Sequence, residues 1–165
     1  MNKLAQTWIL DYIAGFLIFV FLLFISVNLF KSVDARSDYD VVSREVDVAS
    51  SSLLSAGFPR DWNVSFVSFP GLTTDNRIDL AKIAEFDSLS YEHSKSLLRI
   101  TGEYLFYFEN ASGILEVGGE CVRGFVDFKS CSLPDFSNFH SDRAWAERIV
   151  VLDSQIVSLI MVVWR

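Results

Sequence analysis

The clearest pattern in this chain is an apolar run close to its N-terminus. From Tyr12 to Phe30, 19 consecutive residues carry no charged side chain. Because a bilayer core of about 30 Å is crossed by roughly 20 helical residues, the run predicts a membrane-spanning helix. A cleaved secretory signal is the alternative, but its apolar part has about 7–15 residues and precedes a cleavage site of small residues. The sequence after Phe30 offers no such site, so a retained span is favoured.

The helical pattern continues beyond this run but changes character. Gly57 predicts a left-handed cap at its end, and Pro59 blocks further helix. Residues 34–57 therefore predict an amphipathic stem whose apolar face needs a partner. The apolar positions, mostly three or four residues apart, are Val33, Tyr39, Val42, Val46, Ala49, Leu53 and Ala56.

Residues 58–165 predict an α+β headgroup. The clearest signal is a hairpin of Ala146–Leu152 and Gln155–Trp164 around a two-residue turn, because both runs are rich in β-branched residues. The complete prediction is an α+β fold in which a long hydrophobic helix continues as an amphipathic stem packed on an antiparallel sheet with short helices. Further predicted strands are 63–69, 103–109, 114–117 and 125–129, and the short helices are 79–86, capped by Asp79, and 90–100.

Composition narrows the function classes. The chain is 51% hydrophobic, which excludes a disordered protein. Lys3 and Asp11 are the only charged side chains before Lys31, so the net charge of −7 lies entirely after the apolar run. An acidic body disfavours nucleic acid as a partner, because binding phosphates needs positive charge.

Asp11 stands at the head of the apolar run, where a lipid-buried carboxylate would cost several kcal/mol. It either lies in the membrane interface, favoured by the helix dipole, or neutralises a positive group such as the N-terminal amine of a neighbouring subunit. The sequence leaves both interpretations open.

Cys121 and Cys131 enclose nine residues. In an exported protein such a pair predicts a disulfide. Reduced core thiols are the alternative, and a metal site is disfavoured because His93 and His140 are the only histidines. No metal and no cofactor are expected.

Two triplets fit the acceptor pattern for N-linked glycans, and they begin at Asn63 and Asn110. Such triplets also arise by chance, so the sequence leaves their use open. The cysteine pair and the triplets together favour a body outside the cell, with the short N-terminus in the cytoplasm.

No catalytic constellation is evident, and the chain is not expected to be an enzyme. His140-Ser141-Asp142 contains the residue types of a catalytic triad, but a triad is defined by spatial geometry and not by adjacency. The many aromatic residues of the body could form a ligand-binding face, although their strand periodicity favours core packing. These residues are Phe66, Phe69, Tyr104, Phe106, Tyr107, Phe108, Phe125 and Phe128.

The N-terminus resembles a known family. The segment Lys3-Leu-Ala-Gln-Thr-Trp-Ile-Leu-Asp11-Tyr12, followed by the apolar run, resembles the class III signal peptide of archaeal type IV pilin-like proteins. The body is similar in residues 55–62, SAGFPRDW, and in the closing strand that ends VVWR. Two departures are that Leu4 separates Lys3 from Ala5, and that Asp11 would be the sixth residue of the processed chain.

The resemblance implies how the chain is processed and assembled. A prepilin peptidase would recognise Lys3 and cut between Ala5 and Gln6, which divides the chain into a leader (1–5), an assembly helix (6–33), a stem (34–57) and a headgroup (58–165). The helix would lie in the lipid bilayer first and then pack against other copies or related pilin subunits. The residues implied in assembly are Asp11, Phe16, Phe19 and Phe24.

The sequence therefore predicts an exported, membrane-anchored pilin-like subunit of a surface filament. The alternative is a monomeric, single-span binding module, in which the helix is only an anchor and the aromatic body holds a ligand.

Overall fold

The computed structural model describes residues 3–125, 131–132 and 142–165. The chain divides into two units, Met1–Asp38 and Tyr39–Arg165. Helix α1, Lys3–Leu53, begins in the first unit and ends in the second. The fold is mixed α+β with an N-terminal apolar helix.

The second unit adds two short helices and seven strands within the described residues. The helices are α2, Leu80–Asp87, and α3, Tyr91–Leu97. The strands are β1 (Thr73–Thr74), β2 (Arg77–Ile78), β3 (Glu103–Asn110), β4 (Gly113–Leu115), β5 (Val122–Gly124), β6 (Arg143–Leu152) and β7 (Gln155–Trp164).

The strands form one sheet in the order β1-β2-β6-β7-β3-β4, and β5 also pairs with β3. Neighbours are antiparallel except β2 and β6, which meet in parallel at the single pair Arg77–Val151. The sheet was predicted to be antiparallel, but it is mixed where β2 meets β6. The β1–β2 hairpin places β2 beside β6 with both strands running in the same direction.

The C-terminal hairpin is confirmed. Strands β6 and β7 pair from Leu152–Gln155 to Arg143–Trp164. Asp153 and Ser154 connect them with φ of 48° and 67°, and positive φ at both turn residues matches the right-handed twist of the strands. Strand β7 lies between β6 and β3, as its apolar character on both faces predicted.

Both faces of the sheet carry apolar clusters. The larger cluster joins side chains from one face of the sheet to α1, α2 and α3, and the α1 contribution is Val42, Val46, Ala49 and Leu53, each at most 2% exposed. These four residues are spaced by three or four, so they share one side of the helix. The smaller cluster on the opposite face contains Leu105, Tyr107, Cys121, Val122, Ile160, Val162 and Trp164.

The two short helices begin at side-chain caps, of which Asp79 was predicted. The Asp79 carboxylate accepts from the backbone N–H of Ala81 at 3.0 Å, and Ser90 Oγ accepts from His93 N–H at 3.3 Å. Each side chain satisfies a backbone donor that has no partner within the helix.

The predicted strand at 63–69 is wrong. The Asn63 side-chain oxygen accepts from the backbone N–H groups of Ser65 and Phe66, at 3.0 and 3.1 Å. This local hydrogen bonding folds the segment into a tight turn, because an Asn side chain offers the backbone an alternative to a sheet ladder. Only single bridges, such as Phe58–Phe69, remain. The predicted strand at 125–129 falls largely outside the described residues, and Phe125 lies in a bend.

Helix α1 ends at Leu53, three residues before the predicted end at Ala56. The Leu53 and Ser55 carbonyls accept from the backbone N–H groups of Leu72 and Thr73, at 2.7 and 3.2 Å. The Ala56 carbonyl accepts from Lys82 Nζ at 2.6 Å. Tertiary partners therefore satisfy the carbonyls that another helical turn would have used.

Candidate functional site

The apolar segment of α1 has the composition and length of a membrane span. Its window Tyr12–Leu29 has a mean hydropathy of 2.5, and none of it is buried inside the structure. It is the single helix among the described residues with this combination of length and apolarity. The predicted assembly residues Phe16, Phe19 and Phe24 are 56%, 59% and 67% exposed. A core helix of a soluble protein would be covered instead.

The described leader residues, from Lys3 onward, and Asp11 lie in the first turns of α1. Lys3, Ala5, Gln6 and Asp11 are helical there, and their side chains are outside the described part. The cleavage prediction and the two interpretations of Asp11 therefore remain predictions.

Cys121 and Cys131 form a disulfide, with a Cα–Cα distance of 5.0 Å. The Glu116 carboxylate lies within 4.8 Å of both sulfur atoms. Since the sulfurs are bonded to each other, they are not available as the thiolates that a metal ion would require. Among the predicted alternatives for the two cysteines, the structure supports the disulfide.

The two glycan acceptor triplets lie beside turns. Asn63 is exposed, and its amide oxygen organises the turn described above. Asn110 is the half-buried last residue of β3, and its amide oxygen accepts from Ser112 N–H at 2.8 Å at the turn between β3 and β4. Glycan occupancy at both positions remains a prediction.

A buried ion pair, which the sequence did not reveal, lies between α2 and β5. Arg123 has a side chain only 3% exposed, and its Nε and Nη2 donate to the two Asp87 carboxylate oxygens at 2.6 and 2.9 Å. The same guanidinium also donates to the backbone carbonyls of Val117 and Glu120. The pairing is bidentate and joins residues 36 apart in sequence, so no local pattern signals it.

A cavity of about 160 Å³ opens beside this pair. Its other side is formed by Tyr91, Ser94 and Tyr104. The Tyr91 and Tyr104 rings stack with centroids 5.3 Å apart. An ion pair beside two phenols can bind a small polar group, but the volume is below that of most sites for larger ligands.

The phenols are coupled to a surface carboxylate. Tyr91 Oη donates to Glu103, and Lys95 Nζ donates to the same carboxylate at 2.8 Å. Burial by itself raises the pKa of Glu103, but the hydrogen bonds from Lys95 and Tyr91 outweigh it, so the pKa lies below its usual value. Burial raises the pKa of Tyr104 to about 12. Burial likewise raises the pKa of Tyr91, so both phenols titrate above the ordinary tyrosine range.

A second, more open groove of about 410 Å³ borders the C-terminal end of α1. Ser51, Ser52 and Ser55 line one side, and Leu97 and Arg99 line the other. Val48, Phe69 and Leu98 also line the groove, so hydroxyl groups and one guanidinium border a surface that is mostly apolar.

The aromatic residues divide between core and surface. Tyr104, Phe106, Tyr107 and Phe108 are buried, which confirms core packing along β3. Phe66 is 70% exposed, because the segment that carries it is a turn and not a strand. Phe128, His140 and Ser141 lie outside the described residues, and His93 is exposed on α3.

Comparisons with protein-family models, curated proteins and solved structures found no match for this chain. The functional assignment therefore uses the residues and contacts above together with the N-terminal resemblance.

Proposed function

We propose that this chain is an exported, membrane-anchored pilin-like subunit that assembles into, or primes, a type IV pilus-like surface filament through its N-terminal helix. The observation that carries the proposal is the uncovered apolar window Tyr12–Leu29. A helix of this length with apolar side chains on every side is stable only in lipid or against other apolar helices. The same surface serves both environments, so the helix can leave the bilayer for a filament core.

The residues before Tyr12 support assembly, and not only membrane anchoring, as the role of the helix. In this proposal the peptidase cuts between Ala5 and Gln6, and Asp11 meets the new N-terminal amine of a neighbouring subunit. Phe16, Phe19 and Phe24 are among the side chains that exchange lipid for other subunits, and all three are exposed.

Residues 34–57 act as the stem in this proposal. Support comes from the burial of Val42, Val46, Ala49 and Leu53 in the larger apolar cluster, while Val48 is 60% exposed. The buried side of α1 packs on the headgroup, and the exposed side stays available for other contacts.

The body lies outside the cell in this proposal. The Cys121–Cys131 disulfide supports this location, because disulfides persist in oxidising compartments. The acceptor triplets at Asn63 and Asn110 agree with it.

Intact-mass measurement of the protein from its native membrane tests the processing step. We expect loss of residues 1–5 from the wild type and retention of the leader in Ala5→Leu, because a peptidase that requires a small residue before the cut no longer accepts the site. Ala111→Leu, a change of the same size at an exposed headgroup turn, is the matched control and should be processed normally. Electron microscopy should show filaments with the wild type and the control but not with Ala5→Leu. Retention of Met1–Ala5 in the wild type together with an absence of filaments would refute the proposal.

The alternative is a monomeric membrane-tethered binding module. The observation that favours it is the pair of concave sites, the cavity beside Arg123 and the groove beside Ser52. A detergent-solubilised monomer whose ligand binding survives deletion of residues 1–33 would support this alternative over filament assembly.

A further inference from the structure

The larger of the two concave sites, the groove of about 410 Å³, lies between the C-terminal ends of α1 and α3. Its volume falls in the range of small-molecule sites, about 300–1,000 Å³. Nine residues line it, far fewer than the roughly 20–30 residues that one protein contributes to a stable interface. They are four apolar residues, four serines and one arginine: Val48, Phe69, Leu97, Leu98, Ser51, Ser52, Ser55, Ser68 and Arg99.

The sides of this groove are fixed to each other by the fold. The Glu45 carboxylate of α1 accepts from the backbone N–H of Thr101 at 3.2 Å and from its hydroxyl at 2.7 Å, which ties α1 to the turn after α3. Leu98 is 3% exposed and belongs to the larger apolar cluster. The Phe69 ring stacks on Phe58, with centroids 6.1 Å apart. The groove is therefore preformed, and a ligand can bind with little reordering of the chain.

Arg99 occupies a backbone position that usually belongs to glycine. Its φ is 57°. Its N–H donates to the Ser96 carbonyl and the Ile100 N–H donates to the Lys95 carbonyl, both at 3.1 Å, which ends α3 with a left-handed residue. A side chain with a Cβ is strained in this conformation. Strain at an exposed residue is a reason to look for a function of its side chain.

The Arg99 guanidinium has no hydrogen-bond or ion-pair partner in the described part of the chain. None of the described residues that line the groove is acidic. Both carboxylate oxygens of Glu45 are engaged by Thr101. The groove therefore carries a positive charge that the protein does not neutralise, although the whole chain has a net charge of −7.

We propose that this groove binds a small organic carboxylate with an apolar body. The planar guanidinium of Arg99 donates to the carboxylate through two parallel hydrogen bonds. The apolar body of the ligand then covers Val48, Phe69 and Leu97, which removes apolar surface from water.

The serine hydroxyl groups supply further donors for oxygen atoms of the ligand. The Ser55 hydroxyl is already used, because it donates to the Ser52 carbonyl at 2.7 Å and accepts from the Gly57 N–H at 3.0 Å. The side chains of Ser51, Ser52 and Ser68 have no partner in the part of the chain that the structure describes. Their hydroxyl groups are therefore available to a ligand.

The lining disfavours other classes of ligand. A cation would meet the unpaired guanidinium. A purely apolar ligand would remove water from the guanidinium and the hydroxyl groups without replacing its hydrogen bonds. An anion with several charges would leave charge unpaired, because Arg99 is the one charged side chain among the nine lining residues.

This site goes beyond the proposed function and does not depend on it. All nine lining residues belong to the second unit of the chain, whereas the proposed assembly uses the N-terminal helix. Ligand binding and filament formation are measured separately, so either can fail without the other.

Fluorine NMR of the full chain in phosphatidylcholine nanodiscs tests the class of ligand. Nanodiscs keep the span in lipid and avoid detergent, which would compete for an apolar groove. The resonance of 4-fluorophenylacetate should broaden in a saturable manner. Binding of 4-fluorophenylacetamide, which has the same shape without the charge, should be about tenfold weaker, because a hydrogen bond to a charged acceptor is stronger. Equal binding of the acid and the amide, or no saturable binding of the acid, would overturn the proposal.

Two substitutions locate the binding site. Arg99→Gln should lower the affinity for the acid about tenfold and remove its preference over the amide. Arg77→Gln is the matched control, because Arg77 is also exposed but lies on β2, and its loss changes the net charge equally. Ser51→Phe, which fills the groove from α1, should abolish binding of both compounds. An unchanged affinity in Arg99→Gln would contradict the assignment.

Arg99→Gly separates binding from folding. Glycine relieves the left-handed strain, so the midpoint of thermal unfolding should not fall. The affinity for the acid should nevertheless fall about tenfold, as in Arg99→Gln. A lower midpoint together with an unchanged affinity would make Arg99 a structural cap of α3 and refute its role in binding.

Other occupants of the groove predict different results. Nanodiscs that contain phosphatidylglycerol should leave the affinity for the acid unchanged, and loss of binding there would assign the groove to an anionic lipid head group. The affinity should also be independent of protein concentration. A weaker apparent affinity at higher protein concentration would assign the groove to a second copy of the chain.

Discussion

The Arg123 guanidinium and the Asp87 carboxylate form a bidentate ion pair whose arginine side chain is almost completely buried. The contact joins β5 to the last residue of α2, and it closes one side of the cavity beside Tyr91 and Tyr104. Because a buried guanidinium requires a fixed acceptor, this pair makes the position of α2 dependent on β5.

Removing one partner should therefore destabilise the headgroup strongly. Asp87→Ala leaves the Arg123 charge buried and is expected to lower the free energy of unfolding by about 3–5 kcal/mol. Arg60→Ala is the control, because it breaks the Arg60–Asp75 pair, whose side chains are 71% and 80% exposed. The control should cost at most about 1 kcal/mol. Chemical unfolding in detergent, followed by near-ultraviolet circular dichroism, distinguishes the two, and equal losses would show that Arg123 is effectively solvated.

Alkaline pH should weaken the headgroup through Tyr104. Burial raises the pKa of Tyr104 to about 12, above the ordinary value of 10.0. Between these values the unfolded chain loses the proton first, so the stability contributed by the neutral phenol is complete below pH 10 and declines as the pH rises towards 12. Tyr104→Phe should flatten this decline relative to the wild type. An unchanged alkaline profile in the variant would assign the decline to other groups.

Gly57 should tolerate no side chain. Its φ is +75°, and a Cβ there would stand 2.5 Å from the Trp62 ring and 2.7 Å from the Gly71 backbone nitrogen. Gly57→Ala therefore combines backbone strain with a clash and should cost more than the roughly 1–2 kcal/mol of left-handed strain alone. Gly119→Ala is the matched control, since its φ is +88° and a Cβ there has open space. Thermal unfolding should separate the two variants, and similar losses would mean that the Trp62 side chain moves aside.

The Cys121–Cys131 disulfide should contribute about 2–3 kcal/mol, because it closes a short loop and thereby restricts the unfolded chain. The double variant C121S/C131S should show that loss in chemical unfolding. Addition of a reductant should destabilise the wild type by a similar amount and leave the double variant unchanged. A reductant effect on the double variant would indicate a different origin.

Local patterns predicted those elements that depend on neighbours in sequence. The Asp79 cap, the two-residue turn at Asp153–Ser154 and the central position of β7 all follow from residue types within a few positions. The strand predicted at 63–69 was wrong, and the cause is also local, since the Asn63 side chain organises a turn. The alternation of apolar and polar side chains predicted a strand. It could not show that the Asn63 side chain would accept hydrogen bonds from the backbone N–H groups that a strand would use in a ladder.

The long-range contacts were beyond such patterns. Asp87 and Arg123 lie 36 residues apart, and Arg148 and Asp47 lie 101 apart. Which of these residues meet depends on which distant segments pack together.

By itself, the sequence determined that residues 12–30 are apolar enough to cross a membrane, that a helix continues past them, and that an α+β body ends in a β-hairpin. These properties follow from side-chain polarity and short-range backbone preference, which each residue carries with it. Only the tertiary structure decided where α1 ends, that Arg123 is buried against Asp87, and that Arg148 of β6 donates to Asp47 of α1. Each of these depends on burial and hydrogen bonding between segments that only folding brings together.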